Sequence, residues 1–158
     1  LILDKGLTQG IKSGMPVIDG EGVVGQVTAV GTFTSETTLL TEKDQSVPVM
    51  LTRNGLRAIA VGSGKDGSID VPFMPVSADV QSGDVFVTSG IDQTYPPGLL
   101  VAQVTSVEKN SARVFARISA RPDAGVVTFV HRCYNQRNEM VAVCRRLALM
   151  KKLPRDDA

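Results

Sequence analysis

The chain has almost none of the side chains that usually carry out chemistry. Its 158 residues include no tryptophan, one histidine and two cysteines, and aromatic residues make up only 4% of the total. The histidine, His131, and the cysteines, Cys133 and Cys144, all lie near the C-terminus. Together they fall short of the four ligands of a structural zinc site, and a Ser-His-Asp triad has one histidine to draw on. We therefore expect no metal site and no catalytic triad.

A charge of one sign and long apolar runs are lacking as well. Seventeen Lys and Arg residues oppose sixteen Asp and Glu residues, which leaves a net charge of +1. This balance gives no electrostatic case for nucleic-acid binding. No apolar run approaches the roughly 18 residues that a membrane span requires.

Two glycine patterns resemble phosphate-binding motifs but do not qualify as such. Residues 20–25 and 62–67 both have the spacing G-x-G-x-x-G. A dinucleotide site needs these glycines to open a helix whose N-terminus holds the phosphates. Here both patterns lead into strand-like segments, so we expect no nucleotide and no other cofactor.

What the sequence does contain is an internal repeat. The stretch GVVGQVTAV at 22–30 returns as GLLVAQVTSV at 98–107, and IKSGMPVI at 11–18 matches VQSGDVFV at 80–87. The offset between the copies rises from 69 residues (Ser13 to Ser82) to 77 residues (Gln26 to Gln103), so the second copy carries an insertion, IDQTYPP at 91–97. A repeat of this length indicates that one supersecondary unit is built twice.

The fold class follows from the punctuation of the chain. Its 15 glycines and 8 prolines mostly separate short runs of Val, Ile, Thr and Leu, as in all-β proteins. Each copy of the repeat reads as a turn, an apolar strand, a second turn and an alternating strand. We predict an all-β protein of two small sister antiparallel β-barrels, residues 1–53 and residues 54–130.

The C-terminal residues, 131–158, have a different character. Within NEMVAVCRRLALMKKL at 138–153, apolar residues recur at roughly helical spacing, and four basic residues cluster late, where cations suit a helix C-terminus. We predict a basic tail that is helical or disordered, as termini often are. The alternative is a basic amphipathic helix for a membrane surface or a partner groove.

The candidate binding residues are apolar residues in predicted loops. Tyr95 lies in the inserted loop with Pro96 and Pro97, and Phe73 ends a predicted strand. A large apolar side chain in a loop either folds over a barrel end or faces a partner. We predict that Tyr95, Pro96 and Pro97, with Phe73 beside them, form a partner-binding surface on the second barrel. The alternative is that Tyr95 plugs that barrel.

Several stretches between residue 1 and about residue 125 form an ordered set of motifs. They are the K-G-x-x-x-G-I-K-x-G-x-P-V-I-D opening at 5–19, GVVGQVTAVG, TSETTLLTEKDQSVPV, RNGLRAIAVG, ADVQSGDVFVTSG, YPPGLLVAQVTSVEK and ARISARP. Taken in this order, they resemble one protein family, the rod shape-determining MreC family. The resemblance is to the extracytoplasmic domain of that family. The tail departs from it, which leaves open whether GVVTFV at 125–130 closes the second barrel or crosses back to the first.

The resemblance implies a fold and a role. It implies two six-stranded β-barrels and a non-enzymatic scaffold that maintains rod shape by binding and organising peptidoglycan synthases. It also implies the periplasmic or extracytoplasmic face of the inner membrane, with a transmembrane anchor and a coiled coil upstream of Leu1. Family partners would be the elongation transpeptidase of the penicillin-binding type, MreD and further copies of the chain. The alternative function is a hydrolase of the two-barrel protease type with a site assembled from loops.

Overall fold

The computed structural model describes residues 1–18, 22–65, 67–122, 127–134 and 140–148, the last two ranges as backbone only. Within these ranges the regular structure is twelve β-strands and one 3-10 turn, Leu7–Gln9. This confirms the all-β prediction, and no helix in the described ranges could cross a membrane. The strands are β1 (Ile2–Leu3), β2 (Pro16–Ile18), β3 (Val23–Val30), β4 (Ser35–Leu39), β5 (Ser46–Leu51), β6 (Arg57–Gly62), β7 (Ile69–Asp70), β8 (Val85–Thr88), β9 (Leu100–Glu108), β10 (Arg117–Arg121), β11 (Val127–Tyr134) and β12 (Met140–Ala148).

The strands form because apolar residues alternate with polar or smaller ones, so that one face of each strand is buried. In β5, Val47, Val49 and Leu51 have no exposed surface, whereas the alternating residues Ser46, Pro48 and Met50 are partly or fully exposed. Successive side chains of a strand point to opposite faces, so this pattern fits a sheet with one face toward a core. Each such burial is worth about 1.5–3 kcal/mol.

The second unit is a closed antiparallel barrel with the strand order β10-β7-β6-β5-β8-β9. Its core includes Phe86, Ile69 and Ile118, all with at most 1% of their surface exposed. Because the ladder closes on itself, none of its strands has a free edge.

The first unit is a six-stranded sheet with the order β1-β4-β3-β2-β11-β12. If the barrel is opened between β6 and β7, its strand order becomes β7-β10-β9-β8-β5-β6. The first unit has the equivalent order, with β1 in the place of β7 and β12 in the place of β6. Among the described residues no pairing joins β12 to β1, so the first unit is an open sheet there rather than the closed barrel that we predicted.

The predicted boundaries, residues 1–53 and residues 54–130, misplace two strands. β5 pairs with β6 and β8 and therefore belongs to the barrel. β11 pairs with β2 and therefore crosses back to the first unit, which answers the question that the sequence left open. The reason is geometric. Each copy of the repeat supplies only four strands, and β5 and β6 complete the six-stranded barrel that the second copy forms. The outer edge of β2 then remains for β11.

The two copies of the repeat adopt the same hairpin. Pro16 faces Gln26 across β2 and β3, and their counterparts Val85 and Gln103 face each other across β8 and β9. The register shifts after the second residue of the first strand in both hairpins. The internal duplication that the sequence indicated is therefore confirmed at the level of strand register.

Side-chain hydrogen bonds repeat as well. The side-chain amide of Gln26 donates to the Gly14 carbonyl at 2.9 Å, and that of Gln103 donates to the Gly83 carbonyl at 3.2 Å. Both ladders to the following strand also shift around the aligned threonine, residue 28 or 105. The shared residues thus specify a hairpin with the same irregularities.

The helix predicted for 138–153 is wrong for the part of it that the structure describes. Met140–Ala148 forms a strand, and its register with β11 sets Val127 opposite Ala148 and Tyr134 opposite Met140. β11 offers a long antiparallel edge, so pairing satisfies the same backbone groups that a helix would satisfy internally. Tertiary context of this kind commonly overrides a local helical pattern.

The two units meet at a packed junction. Ile18, Val23 and Leu40 of the first unit belong to the same buried cluster as Phe86 and Val101 of the barrel. The units share apolar burial here, so the junction is part of the core.

Gly22 marks a close backbone approach at this junction. A Cβ atom on Gly22 would lie 2.1 Å from the carbonyl oxygen of Leu100, which only glycine can accommodate. Gly22 immediately precedes β3, and Leu100 opens β9. Both strands therefore begin at the junction, and the loops that follow them lie at the far end of each unit, which we call its distal end.

Candidate interaction surface

The structure separates the four predicted binding residues. Tyr95 lies in the core of the barrel with 3% of its surface exposed, Pro96 is half-buried and Pro97 is exposed. Their loop connects β8 to β9 and therefore lies at the junction end of the barrel. Phe73 follows β7, which runs parallel to β9, so it lies at the distal end. The prediction that Phe73 lies beside Tyr95 is wrong.

The burial of Tyr95 matches the alternative that this side chain plugs the barrel. Thr88 fixes the loop by donating from its hydroxyl to the Pro96 carbonyl at 2.5 Å and accepting from the Leu99 N–H at 2.9 Å. The Tyr95 hydroxyl has no hydrogen-bond partner among the described residues. Burial, with a smaller effect of the Asp92 charge, raises the pKa of the Tyr95 phenol.

The most prominent apolar surface of the barrel is at its distal end. Phe73 and Val114 are 73% and 77% exposed, and Phe115 is 46% exposed. The rings of Phe73 and Phe115 meet edge to face, with centroids 5.7 Å apart and an interplanar angle of 88°. We call these three residues the distal patch.

Phe73 adopts a backbone conformation that is unusual for its residue type. Its φ is 63°, in the left-handed region. Such conformations cost non-glycine residues about 1–3 kcal/mol and cluster at functional sites. Because Phe73 is also exposed, core packing of its ring does not explain the conformation.

Two segments build the distal patch and are joined by backbone hydrogen bonds. One is residues 71–84, which we call the cap, and the other is the loop at 109–116. The Ala116 N–H donates to the Met74 carbonyl at 2.8 Å, and the Val76 N–H donates to the Val114 carbonyl at 3.4 Å. These bonds extend the sheet pairing beyond the strands and set the two aromatic rings side by side.

The sequence analysis did not identify Val114 and Phe115 as candidate binding residues. In the structure β10 begins only at Arg117, so both residues lie in the loop before it. The repeat contained a usable signal: the equivalent loop of the first copy, residues 31–34, also carries an exposed phenylalanine, Phe33. An aromatic residue in the same loop of both copies indicates a surface role.

The first unit has a smaller apolar surface at its own distal end. Leu7 and Phe33 are 60% and 67% exposed. Their segments are joined by hydrogen bonds from the Leu7 and Thr8 N–H groups to the carbonyls of Gly31 and Thr32, at 2.9 and 3.2 Å. Each unit thus presents apolar side chains at the end remote from the junction.

The principal charged cluster also lies at the distal end of the barrel. Arg53, in the turn between β5 and β6, forms ion pairs with Asp79 at 2.6 Å and Asp84 at 2.8 Å. Hydrogen bonds from Arg53 hold the pKa of both carboxyl groups below the ordinary value. Both acids are therefore committed to a structural ion pair rather than poised for proton transfer.

The described residues offer no arrangement typical of metal binding or hydrolysis. No group of three His, Cys, Asp or Glu side chains in this part of the chain could hold a metal ion. The hydroxyls of Ser63 and Ser89 donate to the backbone carbonyls of Lys65 and Pro48. Within the same ranges neither serine is paired with a general base.

The fold and the surface define a class of protein, a duplicated all-β module whose most prominent surface is apolar and aromatic. The protein family described as "Rod shape-determining protein MreC, barrel core" matches residues 1–131 of the chain. The chain is 40% identical over 126 residues to the cell shape-determining protein MreC of Escherichia coli K12, and 39% identical over 122 residues to that of Haemophilus influenzae. The chain therefore belongs to the MreC family of rod shape-determining proteins.

Solved structures agree with this assignment. The crystal structure of MreC from Pseudomonas aeruginosa matches with a TM-score of 0.75 and 36% identity, covering 90% of this chain and 86% of that one. A complex between penicillin-binding protein PBP2 and MreC from Helicobacter pylori matches in fold, with a TM-score of 0.57 and 21% identity over 70% of this chain and 67% of that one.

The chain spans only part of its relatives. The match to the E. coli protein covers 80% of this chain and 34% of that protein. The match to the H. influenzae protein covers 77% of this chain and 35% of that protein.

Proposed function

We propose that the chain is the barrel region of a scaffold that maintains rod shape by binding and organising peptidoglycan synthases. Its membership in a family of cell shape-determining proteins supports this role. Two distal surfaces on units that share a buried apolar cluster suit a protein that holds partners in place. The proposal concerns the activity of the whole protein, since the chain matches about a third of the length of these curated relatives.

The partner that we assign to the distal patch is the elongation transpeptidase of the penicillin-binding type. The observation that carries this proposal is Phe73, an exposed ring on a strained backbone beside Phe115. An aromatic anchor that is already ordered loses little conformational entropy when a partner covers it. The MreC of H. pylori was solved in complex with a penicillin-binding protein, PBP2. Tyr95 is no longer part of the proposed surface, and Pro96 and Pro97 lie at the other end of the barrel.

Affinity measurements test this assignment. Truncation of a central aromatic anchor commonly costs 2 kcal/mol or more, so we expect Phe73→Ala to weaken binding to the purified transpeptidase ectodomain about 30-fold. Phe33→Ala is the matched control, because it removes an equally exposed ring from the equivalent loop of the first unit. Equal affinities for Phe73→Ala and the unmodified chain would remove the distal patch from the interface.

The proposed location is the periplasmic face of the inner membrane. The family resemblance supports it, with an anchoring helix and a coiled coil expected in a segment upstream of Leu1. MreD is a further proposed partner, to which we assign no surface of this chain. Protease digestion of spheroplasts tests the location: the barrel region should be cleaved in intact spheroplasts, and protection until lysis would contradict it.

Self-association is a second proposed function, favoured by the exposed Leu7 and Phe33 at the distal end of the first unit. A first unit of one copy packing on the barrel of the next forms a heterologous contact, which propagates unless a rotation closes it. Sedimentation of the full-length protein across a concentration series tests this. Phe33→Ser should reduce the assembled fraction, and identical sedimentation of both forms would exclude Leu7 and Phe33 from the contact.

We further propose that the scaffold acts without catalysis, against the alternative of a two-barrel hydrolase. The structural commitments of Arg53, Asp79 and Asp84 support this. The test is His131→Ala, which removes the only histidine of the chain. Normal cell shape is expected, and loss of shape with normal protein levels would favour the hydrolase.

A further inference from the structure

The cap covers the distal end of the barrel with one side of the segment inward. Val71, Met74, Ala78 and Val80 are buried, whereas Phe73 points outward. The inward residues anchor the cap by apolar burial. Apolar burial alone fixes these four positions but not the orientation of the exposed stretches between them.

Arg53 holds the C-terminal half of the cap through four hydrogen bonds. Its Nε and Nη2 atoms donate to the two carboxylate oxygens of Asp84, at 2.8 and 2.9 Å. Its Nη1 donates to the Asp79 carboxylate at 2.6 Å, and its Nη2 donates to the Asp79 backbone carbonyl at 2.9 Å. Asn54 donates to the same carbonyl at 2.8 Å. This bidentate geometry requires the planar guanidinium group, which lysine lacks.

Lys109 holds the middle of the cap through a further hydrogen bond. Its Nζ donates to the Ala78 carbonyl at 2.7 Å, in a partly buried contact. Lys109 opens the loop at 109–116, and that loop carries Val114 and Phe115. This single bond therefore joins the two segments that build the distal patch, in addition to the backbone bonds at Met74 and Val76.

The position of these bonds indicates that they fix the conformation of the cap as well as stabilise the fold. Arg53 and Lys109 lie in two different loops and donate hydrogen bonds to the adjacent carbonyls of Asp79 and Ala78. The strained φ of Phe73 would relax if the cap could shift, since left-handed conformations persist in bulky residues only when their surroundings are fixed.

We propose that Arg53 and Lys109 are positioning residues for partner binding, holding the cap and the loop at 109–116 so that Phe73 and Phe115 form one preformed surface. The inference rests on the proposed function of the distal patch as the transpeptidase docking site. Preformation raises affinity because less ordering is needed when the partner binds.

Two variants of Lys109 and two of Arg53 test this with the transpeptidase ectodomain as the probe. Loss of a charge-assisted hydrogen bond that orders the surface predicts about tenfold weaker binding for Lys109→Met. Lys109→Arg restores the donor and should recover most of the affinity. Arg53→Gln should weaken binding, and Arg53→Lys should not restore it, because a single ammonium cannot make the two-pronged contact. Lys12→Met, in the first unit, is the control.

A second readout is independent of the partner. The chain has no tryptophan and two tyrosines, so Phe73→Trp introduces a single tryptophan into the distal patch, which can be excited selectively at a wavelength that tyrosine does not absorb. Adding Lys109→Met to that variant should lower the fluorescence anisotropy of the tryptophan while the melting temperature stays within a few degrees. A merely stabilising lysine would change the melting temperature without changing the mobility of the ring.

The outcomes separate this inference from the proposed function. If Phe73→Ala weakens binding but Lys109→Met and Arg53→Gln do not, the positioning role is overturned and the docking site stands. If Phe73→Ala leaves the affinity unchanged, the docking site and the positioning role both fall. If Lys109→Met weakens binding equally with and without Phe73, the lysine acts directly on the partner, and the positioning role is again overturned.

Discussion

The two units share one hairpin and differ in how the turn before it is closed. In the first unit the Lys12 N–H donates to the sulfur of Met15 at 3.4 Å, whereas in the barrel the Gln81 N–H donates to the Asp84 carboxylate at 2.9 Å. Met15 is packed in the core of the first unit, but Asp84 faces Arg53. One exchange at an aligned position therefore turns a packing residue into the centre of a charged cluster.

The second difference is the inserted loop at the junction end of the barrel. The first copy has no counterpart of residues 91–97, and in the second copy this loop delivers Tyr95 into the core. Residues common to both copies therefore specify the hairpin, whereas residues found in only one copy adapt each unit to its place.

The largest effect is expected for Tyr95→Ala. Removing a buried aromatic side chain leaves a cavity and costs about 3–5 kcal/mol, measurable by denaturant unfolding. Ile91→Ala is the matched control in the same loop, because Ile91 is 58% exposed and its loss should change stability by about 0.5 kcal/mol or less. Similar small losses for both variants would mean that Tyr95 does not fill the barrel.

Asp84→Asn should lower the melting temperature at pH 7 and flatten the acid side of the stability profile. Arg53 holds the pKa of Asp84 below its ordinary value, so the folded protein ionises this group more readily than the unfolded chain does. The resulting stabilisation is complete above the unfolded pKa of about 3.9 and is lost as the pH falls through the folded value. Met15→Leu, at the aligned position, should leave the dependence of stability on acid pH unchanged. An equal change of this dependence in both variants would contradict the difference between the two positions.

Gln26→Ala and Gln103→Ala should have equal, smaller effects. Each glutamine makes the same hydrogen bond in its own copy, and such a bond contributes about 1 kcal/mol. Chemical denaturation of the two variants and of the double variant would check this. A large effect in only one copy would show that the repeat is no longer equivalent in energy.

Tyr95→Phe should have the smallest effect at neutral pH and a distinct one in alkali. The phenylalanine variant removes a hydroxyl that lacks a partner among the described residues, so stability at pH 7 should be equal or slightly higher. Because burial raises the pKa of Tyr95, the unmodified protein should lose stability as the pH rises above about 10, the unfolded value. The variant should lose less over the same range, and identical alkaline profiles would contradict the burial of an un-ionised phenol.

The sequence was sufficient to predict the duplication, because Gln26 and Gln103 lie in matched alternating patterns whose register the structure reproduces. It was insufficient to assign β5 and β11 to their sheets, since an alternating strand pattern identifies a buried face and not the neighbouring strand. Consecutive strands are usually neighbours, but β5 does not pair with β4, and β11 does not pair with β10.

The binding surface was predictable only in part. Phe73 was identified as a large apolar residue in a loop, but the direction of its side chain depends on a left-handed φ that no sequence pattern indicates for phenylalanine. Tyr95 was placed beside it because both were assigned to loops of the second barrel. Which end of a barrel a loop occupies depends on strand direction, and this became clear only once β7 and β9 were seen to be parallel.

The most direct test of the account is site-specific photo-crosslinking of the full-length protein in living cells. A photoreactive phenylalanine derivative would replace Val114 in one variant and Phe33 in another, both exposed and both in the loop after the long strand of the repeat. The account predicts a crosslinked product containing the elongation transpeptidase from position 114, lost when Phe73→Ser is added, and none from position 33. Capture of the transpeptidase from position 33 and not from position 114 would contradict it.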